Sequence, residues 1–502
     1  MLICTATQIK EWDAYTIASE PIASIDLMER AAARCNDWLL ANNGGCTAYC
    51  IICGNGNNGG DGLALARMLL KEHFTVRVYL CHVAATGAAD FETNLARLAE
   101  TGHIQVHHIK EPDDFPQWDG NETIIEALFG AGLSRPPAGI AAALIEHINN
   151  SGCNIISIDI PGGMYADASS AGNLMVQATH TLTFQCMKPA FFVSENSIAT
   201  GQVHVLDIGL HPKFTATIKA KYRLADKALV QSIYRPRQRF AHKGNFGHAL
   251  LLAGSYGKIG AAVLAAKACL RSGAGLLTTF LPQCGYNIMQ TVLPEAMVLT
   301  ANDMEQFAGN APTITAYNAI GIGPGIGTAA PTISFVKNLL AACTRPIVVD
   351  ADALNIIALN NSLLDTIPAD SILTPHPKEF DRLFGESNDG FERIEKAIQA
   401  AAKYKLIIVL KGHHSFIAMP EDYGYFNTTG NAGMATAGSG DVLSGILTGL
   451  LAQGYTPQQA AILGVYLHGL AGDIAAKALS QEAMIAGDIC LYLGQAFTSI
   501  AS

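Results

Sequence analysis

The sequence predicts an α/β protein of two doubly wound, parallel-sheet domains, and three observations predict it. Short apolar runs rich in Val, Ile and Leu alternate with longer helical patterns, the pattern of βα repeats around a buried parallel sheet. Glycine-rich stretches follow several of those runs, above all at 54–62, 254–260 and 431–440. The chain has 502 residues, more than one core ordinarily organises, so two domains are expected.

Composition narrows the function classes. Half the residues are hydrophobic and 15% are charged, with a mean hydropathy of +0.24. No run of 18 or more apolar residues stands out, so no membrane partner is expected. The net charge of −10 and the lack of a basic stripe argue against a nucleic-acid partner. The start of the sequence lacks a basic stretch followed by an apolar one, so secretion is not expected. Twelve cysteines are scattered through apolar segments and read as reduced and buried, which fits a cytoplasmic setting. Cys46, Cys50 and Cys53 contain a Cys-x-x-Cys that falls on a strand predicted over 47–53, where residues three apart face opposite ways, so they are not expected to chelate one metal. His103, His107 and His108 are read as a structural strand end.

Residues 1–45 read as helical. Thr5 with Gln8 forms a capping-box pattern, Ser24 is placed to cap a second helix, and Leu27, Met28, Ala31, Cys35, Trp38 and Leu39 give that helix an apolar face. No chemistry is expected of this region. A strand ending at Cys53 then runs into Gly54-Asn55-Gly56-Asn57-Asn58-Gly59-Gly60-Asp61-Gly62, with a helix over 63–71 and a strand over 75–80 behind it. This is a phosphate-binding βαβ opening, and Gly54, Gly56 and Gly59 match Gly-x-Gly-x-x-Gly. A dehydrogenase would carry an acidic residue near the end of the second strand, and Tyr79-Leu80-Cys81-His82 has none. Further strands at 123–127 and 155–160 enter the loop 128–136 and Pro161-Gly162-Gly163. Ligands of open parallel sheets bind beyond the carboxyl ends of the strands, so Asn58, Glu126, the loop 130–136 and Asp159 are expected to converge on one crevice.

Composition shifts near 209–225, which sets the expected domains at 1–215 and 225–502. In the second, a strand at 248–252 leads into Gly254-Ser255-Tyr256-Gly257-Lys258-Ile259-Gly260 and a helix over 261–271 that Gly273 stops. Strands recur at 320–325, 347–352, 372–377 and 407–411. No Gly-x-x-x-x-Gly-Lys-Ser/Thr is present, so this is not a P-loop protein. The stretch 431–454 is small and polar in its first half and apolar in its second. A glycine-rich loop feeding a helix leaves free N–H groups at the positive end of the helix dipole, an anion site. Gly438 and Gly440 permit close approach of a ligand, and Asp441 at the helix start is placed to take a proton from a hydroxyl that attacks a phosphate. The plainer alternative is an ordinary cap formed by Ser439 or Asp441.

Residues 57–62, 127–133 and 157–163 together resemble the YjeF N-terminal family of NAD(P)HX epimerases, over about residues 1–215. The resemblance implies a Rossmann-like domain that interconverts the R and S forms of hydrated NAD(P)H. It implies that Asn57, Asn58, Gly59, Gly60 and Asp61, the loop Gly130, Ala131, Gly132, Leu133, Ser134, Arg135 and Pro136, and Asp159 hold the substrate. Asp159 would be the acid or base, and Asn58, Glu126 and Gly162 would line a K+ site. Two residues depart from the family pattern, Glu126 where Asp is usual and Gly162 where Ser is usual.

The second half is similar to the ribokinase-like ADP/ATP-dependent NAD(P)HX dehydratases. The similarity lies at 242–247, 271–276, 294–297, 323–327, 350–355, 374–377, 411–412, 431–441 and 468–473. It implies that Ala261, Gly325, His376 and Asp441 contact the hydrated dinucleotide. Lys411, Gly412, His413, His414, Ser415 and Gly440 would contact the phosphoryl donor, ADP with Mg2+. Lys378 and Ala437 stand where the family usually has Gly. The expected partners are NADHX, NADPHX and ADP, in a homo-oligomer. The competing expectation is a vitamin-precursor kinase with a non-catalytic N-terminal binding domain.

Overall fold

The computed structural model describes every residue except Met1, Asn43, His103, Asp119 and Ser502. Two compact units divide the chain: one comprises Leu2–Ala220 with Asp389–Phe391, the other Lys221–Asn388 and Glu392–Ser502.

The first unit is built on a seven-stranded sheet in the order Val106–Ile109, Thr75–Cys81, Ala48–Gly54, Thr123–Ala127, Asn154–Ile158, His180–Phe184, Gln202–Leu206. Every pair is parallel. The chain reverses its direction of travel across the sheet at Ala48–Gly54, which leaves a crevice beyond Gly54 and Ala127. The helices Ala6–Ser19 and Ser24–Asn42 precede the sheet, and the first carries the reciprocal Thr5–Gln8 cap. Ser24 does not act as a cap: it lies inside its helix, and its hydroxyl donates to Asp90 Oδ2 at 2.6 Å.

The largest local departure from expectation is the glycine-rich stretch. The helix begins at Asn57, not at 63, so most of the predicted loop is helical. Packing is the reason: a Cβ on Gly59 would lie 1.8 Å from the Gly54 carbonyl oxygen, and one on Gly62 would lie 2.8 Å from Cys53 Sγ. These glycines let the helix press onto the strand that precedes it. The strand expected over 155–160 ends at Ile158, because Asp159 turns away with φ of 65°.

In the second unit the strand order is Tyr222–Leu224, Tyr423–Phe426, Phe416–Met419, Ile407–Leu410, Ile372–Leu373, Val348–Val349, Ala319–Ile322, His248–Leu252, Leu276–Leu281, Met297–Thr300. Phe416–Met419 runs antiparallel to both neighbours, and the other pairs are parallel. The reversal falls at His248–Leu252, next to Ala319–Ile322. The strand expected over 347–352 is only Val348–Val349, since Asp350 already precedes the helix Ala351–Leu359. Gly273 ends the helix Ile259–Arg271 with φ of 109°.

The helix Ser439–Ala452 is buried along most of its length. Cβ atoms on Gly445 and Gly449 would lie 2.1 Å from Ala265 O and from Ser272 Oγ, so these two glycines, a turn apart, set its close approach to Ile259–Arg271. Pro457–Leu479 is long and apolar enough to cross a membrane, yet Ile462, Leu463, Val465 and Leu467 from it lie in the core of this unit with Val442 and Ile446.

Candidate functional sites

At the switch point of the first unit lies a cavity of about 1030 Å³. It is lined by Asn57, Asn58, Asp61, Gly130, Ala131, Gly132, Leu133, Ser134, Arg135 and Asp159 among others. The convergence expected for these residues is therefore present. Gly59, Gly60, Pro136, Glu126 and Gly162 are not on the wall: Gly59 and Gly60 are packed against Gly54 and Met28.

Asp159 is held firmly. Its Oδ1 pairs with the Lys188 ammonium at 2.6 Å, and its Oδ2 accepts from the Ala131 N–H at 3.0 Å. Lys188 is fully buried and also donates to Thr183 Oγ1. Sequence reading missed Lys188, although a single lysine before the apolar Pro189-Ala190-Phe191-Phe192 was a signal. It also missed Asp13, which lines the same cavity from the helix Ala6–Ser19. Burial, then the charge of Asp159, pushes the Asp13 carboxyl up to about 7 against the pull of Lys188. Burial, then Asp159 and Asp13, raises Asp61 well above the usual carboxylate range.

Asn58 donates to the carbonyls of Phe129 at 2.8 Å and Ile158 at 3.1 Å. Its Oδ1 is buried with no hydrogen-bond partner among the described residues, an acceptor of the kind a cation takes. Glu126 is fully buried, and its carboxylate accepts from Leu128 N at 2.8 Å, Gly162 N at 3.0 Å and Ser157 Oγ at 2.6 Å. Register explains the last contact, because Glu126 and Ser157 are paired positions on adjacent strands. The Gly162 carbonyl accepts from Val176 N at 2.8 Å. A Cβ on Gly162 would lie 2.7 Å from Glu126 Oε1, so the longer acid occupies the space that a larger residue at 162 would need.

In the second unit Gly438 takes the left-handed conformation, φ 91°, and starts the helix Ser439–Ala452. Asp441 lies in its first turn, with its carboxyl pushed up to about 7 by burial, then by Asp350, against the pull of Lys411. The Lys411 ammonium is 2.9 Å from Asp350 Oδ1 and 3.8 Å from Glu379 Oε2. Its Nζ would be 3.3 Å from a Cβ on Gly440, so it stands at the helix start. The second Asp350 oxygen accepts from Ser444 Oγ. His376 caps the helix Pro377–Phe384 through Nδ1, and its backbone N–H donates to Glu379 Oε2 at 2.9 Å.

Gly325 and Ala261 are in contact, since a Cβ on the glycine would lie 3.0 Å from that of the alanine. Gly412, His413, His414 and Ser415 form the turn between two strands, and burial pushes His414 down to about 4. His468 is also pushed down to about 4 by burial. It is therefore neutral at pH 7, and its Nε2 donates to the Ser439 carbonyl at 3.0 Å, fixing the first residue of the helix Ser439–Ala452. Three carboxylates, Asp350, Glu379 and Asp441, thus act on one ammonium beside a helix N-terminus, and no cluster of metal-ligating side chains occurs among the described residues.

The fold and these two sites define a two-domain α/β class, with a crevice at the switch point of one parallel sheet and a glycine-started helix beside Lys411 in the unit built on the other, mixed sheet. The NAD(P)H-hydrate dehydratase family matches residues 249–493, and the YjeF-related protein N-terminus matches residues 24–190. The bifunctional NAD(P)H-hydrate repair enzyme of Moorella thermoacetica is 36% identical, covering 98% of this chain and 96% of its own length. That of Thermofilum pendens is 32% identical over 100% and 97%. The ADP/ATP-dependent NAD(P)H-hydrate dehydratase from Bacillus subtilis, co-crystallized with ATP/Mg2+, is 31% identical with a TM-score of 0.50, covering 55% of this chain and 98% of that one. This chain belongs to the family of bifunctional NAD(P)H-hydrate repair enzymes. The kinase alternative is set aside, because it accounts for neither the first unit nor the full-length match.

Proposed function

We propose that the first unit interconverts R- and S-NAD(P)HX in the 1030 Å³ cavity, and that the second dehydrates the S form to NAD(P)H with a nucleotide as phosphoryl donor. The observation that carries the second assignment is Asp441 on the first turn of a glycine-started helix, beside Lys411 and Asp350. NAD(P)HX bears a hydroxyl at C6 of its reduced nicotinamide ring, and hydroxide is a poor leaving group. Asp441 accepts the hydroxyl proton as the oxygen attacks the donor phosphorus. Helix N–H groups and Lys411 stabilise the charge that develops on the transferring group. The phosphate ester then leaves, pushed by the ring nitrogen, and loss of a C5 proton restores NAD(P)H. Ala261, Gly325 and His376 are proposed to hold the dinucleotide. Residues 411–415 and Gly440 are proposed to hold ADP, giving AMP and phosphate.

Mg2+ would be held by the donor phosphates beside Asp350 and Glu379, where it would neutralise phosphate charge. K+ would be held at the Asn58 Oδ1, with the buried Glu126 supplying negative charge, and would fix the loops around the cavity. In the first unit Asp159 is the proposed acid or base, and Asn57 to Asp61 with the loop 130–136 are proposed to hold substrate. Of these, Gly59 and Gly60 act through packing, against Gly54 and Met28.

The test uses a mixture of R- and S-hydrated NADH with ADP and Mg2+, following the return of NADH absorbance. Complete recovery is expected. Recovery that stalls once the S form is consumed would refute the epimerase assignment. Recovery only with ATP would correct the donor, and none with either would refute the dehydratase assignment.

A further inference from the structure

The carboxylate assigned to proton transfer in the first unit is already engaged on both oxygens, by Lys188 at 2.6 Å and by the Ala131 N–H at 3.0 Å. Inversion at C6 needs a proton donor as well as an acceptor, because one C–O bond breaks and another forms. We propose that Asp13 is the second acid–base group of this reaction, acting with Asp159 in the same cavity. This inference rests on the reading of the first unit as an epimerase.

Geometry carries it. Asp13 lies on the face of the helix Ala6–Ser19 that lines the cavity, in line with Ile9, Lys10 and Ile17 at helical spacing. The helix is pinned at both ends of that face. Ala6 N–H donates to Asp167 Oδ2 at 2.8 Å, and Trp12 Nε1 and Thr16 Oγ1 bond the backbone of His211 at 3.0 and 2.9 Å. No described residue hydrogen-bonds the Asp13 carboxyl, so it faces the cavity uncommitted while its backbone is held. The charged groups that act on it are Asp159, which favours its protonated form, and Lys188, which opposes this. Asp61 lies within its influence, and Lys10, Asp90, Arg135, Tyr165 and Asp167 complete the titratable lining. Two carboxylates whose surroundings differ in this way divide into donor and acceptor.

In the forward step the protonated Asp13 gives its proton to the C6 oxygen as the C6–O bond breaks, and the N1 lone pair forms N1=C6. The water so released adds to the other face of C6. The N1=C6 pair returns to nitrogen, and Asp159 takes a proton from the adding water. One proton has then passed from Asp13 to Asp159. The reverse reaction starts from that state, and exchange with solvent through the cavity resets it.

The experiment follows conversion of isolated R-hydrated NADH to the S form by chromatography, on the full chain without nucleotide, so that dehydration is silent. Asp13→Asn is expected to lower kcat about 100-fold or more, the scale of a general-acid contribution, with KM within about threefold. Asp13→Glu should restore part of the rate. The wild-type rate should fall as pH rises through about 7, the limb on which Asp13 loses its proton, and Asp13→Asn should lack that limb. Tryptophan fluorescence confirms that each variant is folded. A wild-type rate and pH profile in Asp13→Asn would overturn the assignment of Asp13 and leave the epimerase reading intact. A loss expressed in KM alone would also overturn it, as a binding role. Absence of inversion in the wild-type chain would overturn the epimerase reading and this inference with it.

Discussion

The contact between Gly162 and Glu126 makes a quantitative prediction. A Cβ at 162 would lie 2.7 Å from Glu126 Oε1, 3.2 Å from its Cδ and 3.4 Å from Val176 Cγ2. Gly162→Ser is therefore an overpacking substitution beside a fully buried carboxylate, at a cost of about 1–3 kcal/mol. Glu126→Asp withdraws the carboxylate by one methylene, roughly 1.5 Å, which clears the clash. Alone it stretches the bonds to Leu128 N, Gly162 N and Ser157 Oγ, a loss of about 1–3 kcal/mol for buried donors left short of a partner. Together the two changes should fit each other, with the serine hydroxyl inside the space that the shorter acid vacates. The double variant should be more stable than the sum of the singles by about 1–2 kcal/mol.

All three tryptophans, Trp12, Trp38 and Trp118, lie in the first unit, so their fluorescence during urea or thermal unfolding reports on that unit alone. For a domain of this size 1 kcal/mol moves the midpoint by about 2–4 °C. Additivity within about 0.5 kcal/mol would refute the steric argument.

Asp441→Asn should reduce dehydration of S-NADHX by about 100-fold or more while sparing R/S exchange, and an unchanged dehydration rate would exclude Asp441 as the base. A base must be ionised, so dehydratase kcat/KM should rise with pH through about 7, the position to which burial and Asp350 push Asp441. Because Lys411 pulls that carboxyl down, Lys411→Met should displace the rising limb to higher pH, and a limb that stays in place would contradict the arrangement. Gly438→Ala should abolish dehydration and lower stability, since its Cβ would meet Leu264 Cδ1 at 2.4 Å on a left-handed residue; wild-type behaviour in a thermal melt would refute this.

Sequence alone determined the βα order, the two glycine-started elements that face the candidate sites, and the placing of Asp159 and Asp441 at their edges. These are local properties: hydrophobic period, turn chemistry and the residue types beside a helix start. Tertiary structure decided what those signals could not carry. The glycines at 54–62 read as an open phosphate loop, and only the packing of the helix on its own strand shows that Gly59 and Gly62 are there for contact. Glu126 read as a cavity residue because it sits near a strand end. Its neighbours in register, Ser157 and the Gly162 loop, draw the carboxylate beneath the cavity wall. Asp13 and Lys188 carried no motif; one lies on the helix Ala6–Ser19 and the other follows the strand His180–Phe184, and only the packing of these elements at the cavity brings them to Asp159. A carboxylate's partners are set by contacts between distant segments, and no local pattern encodes them.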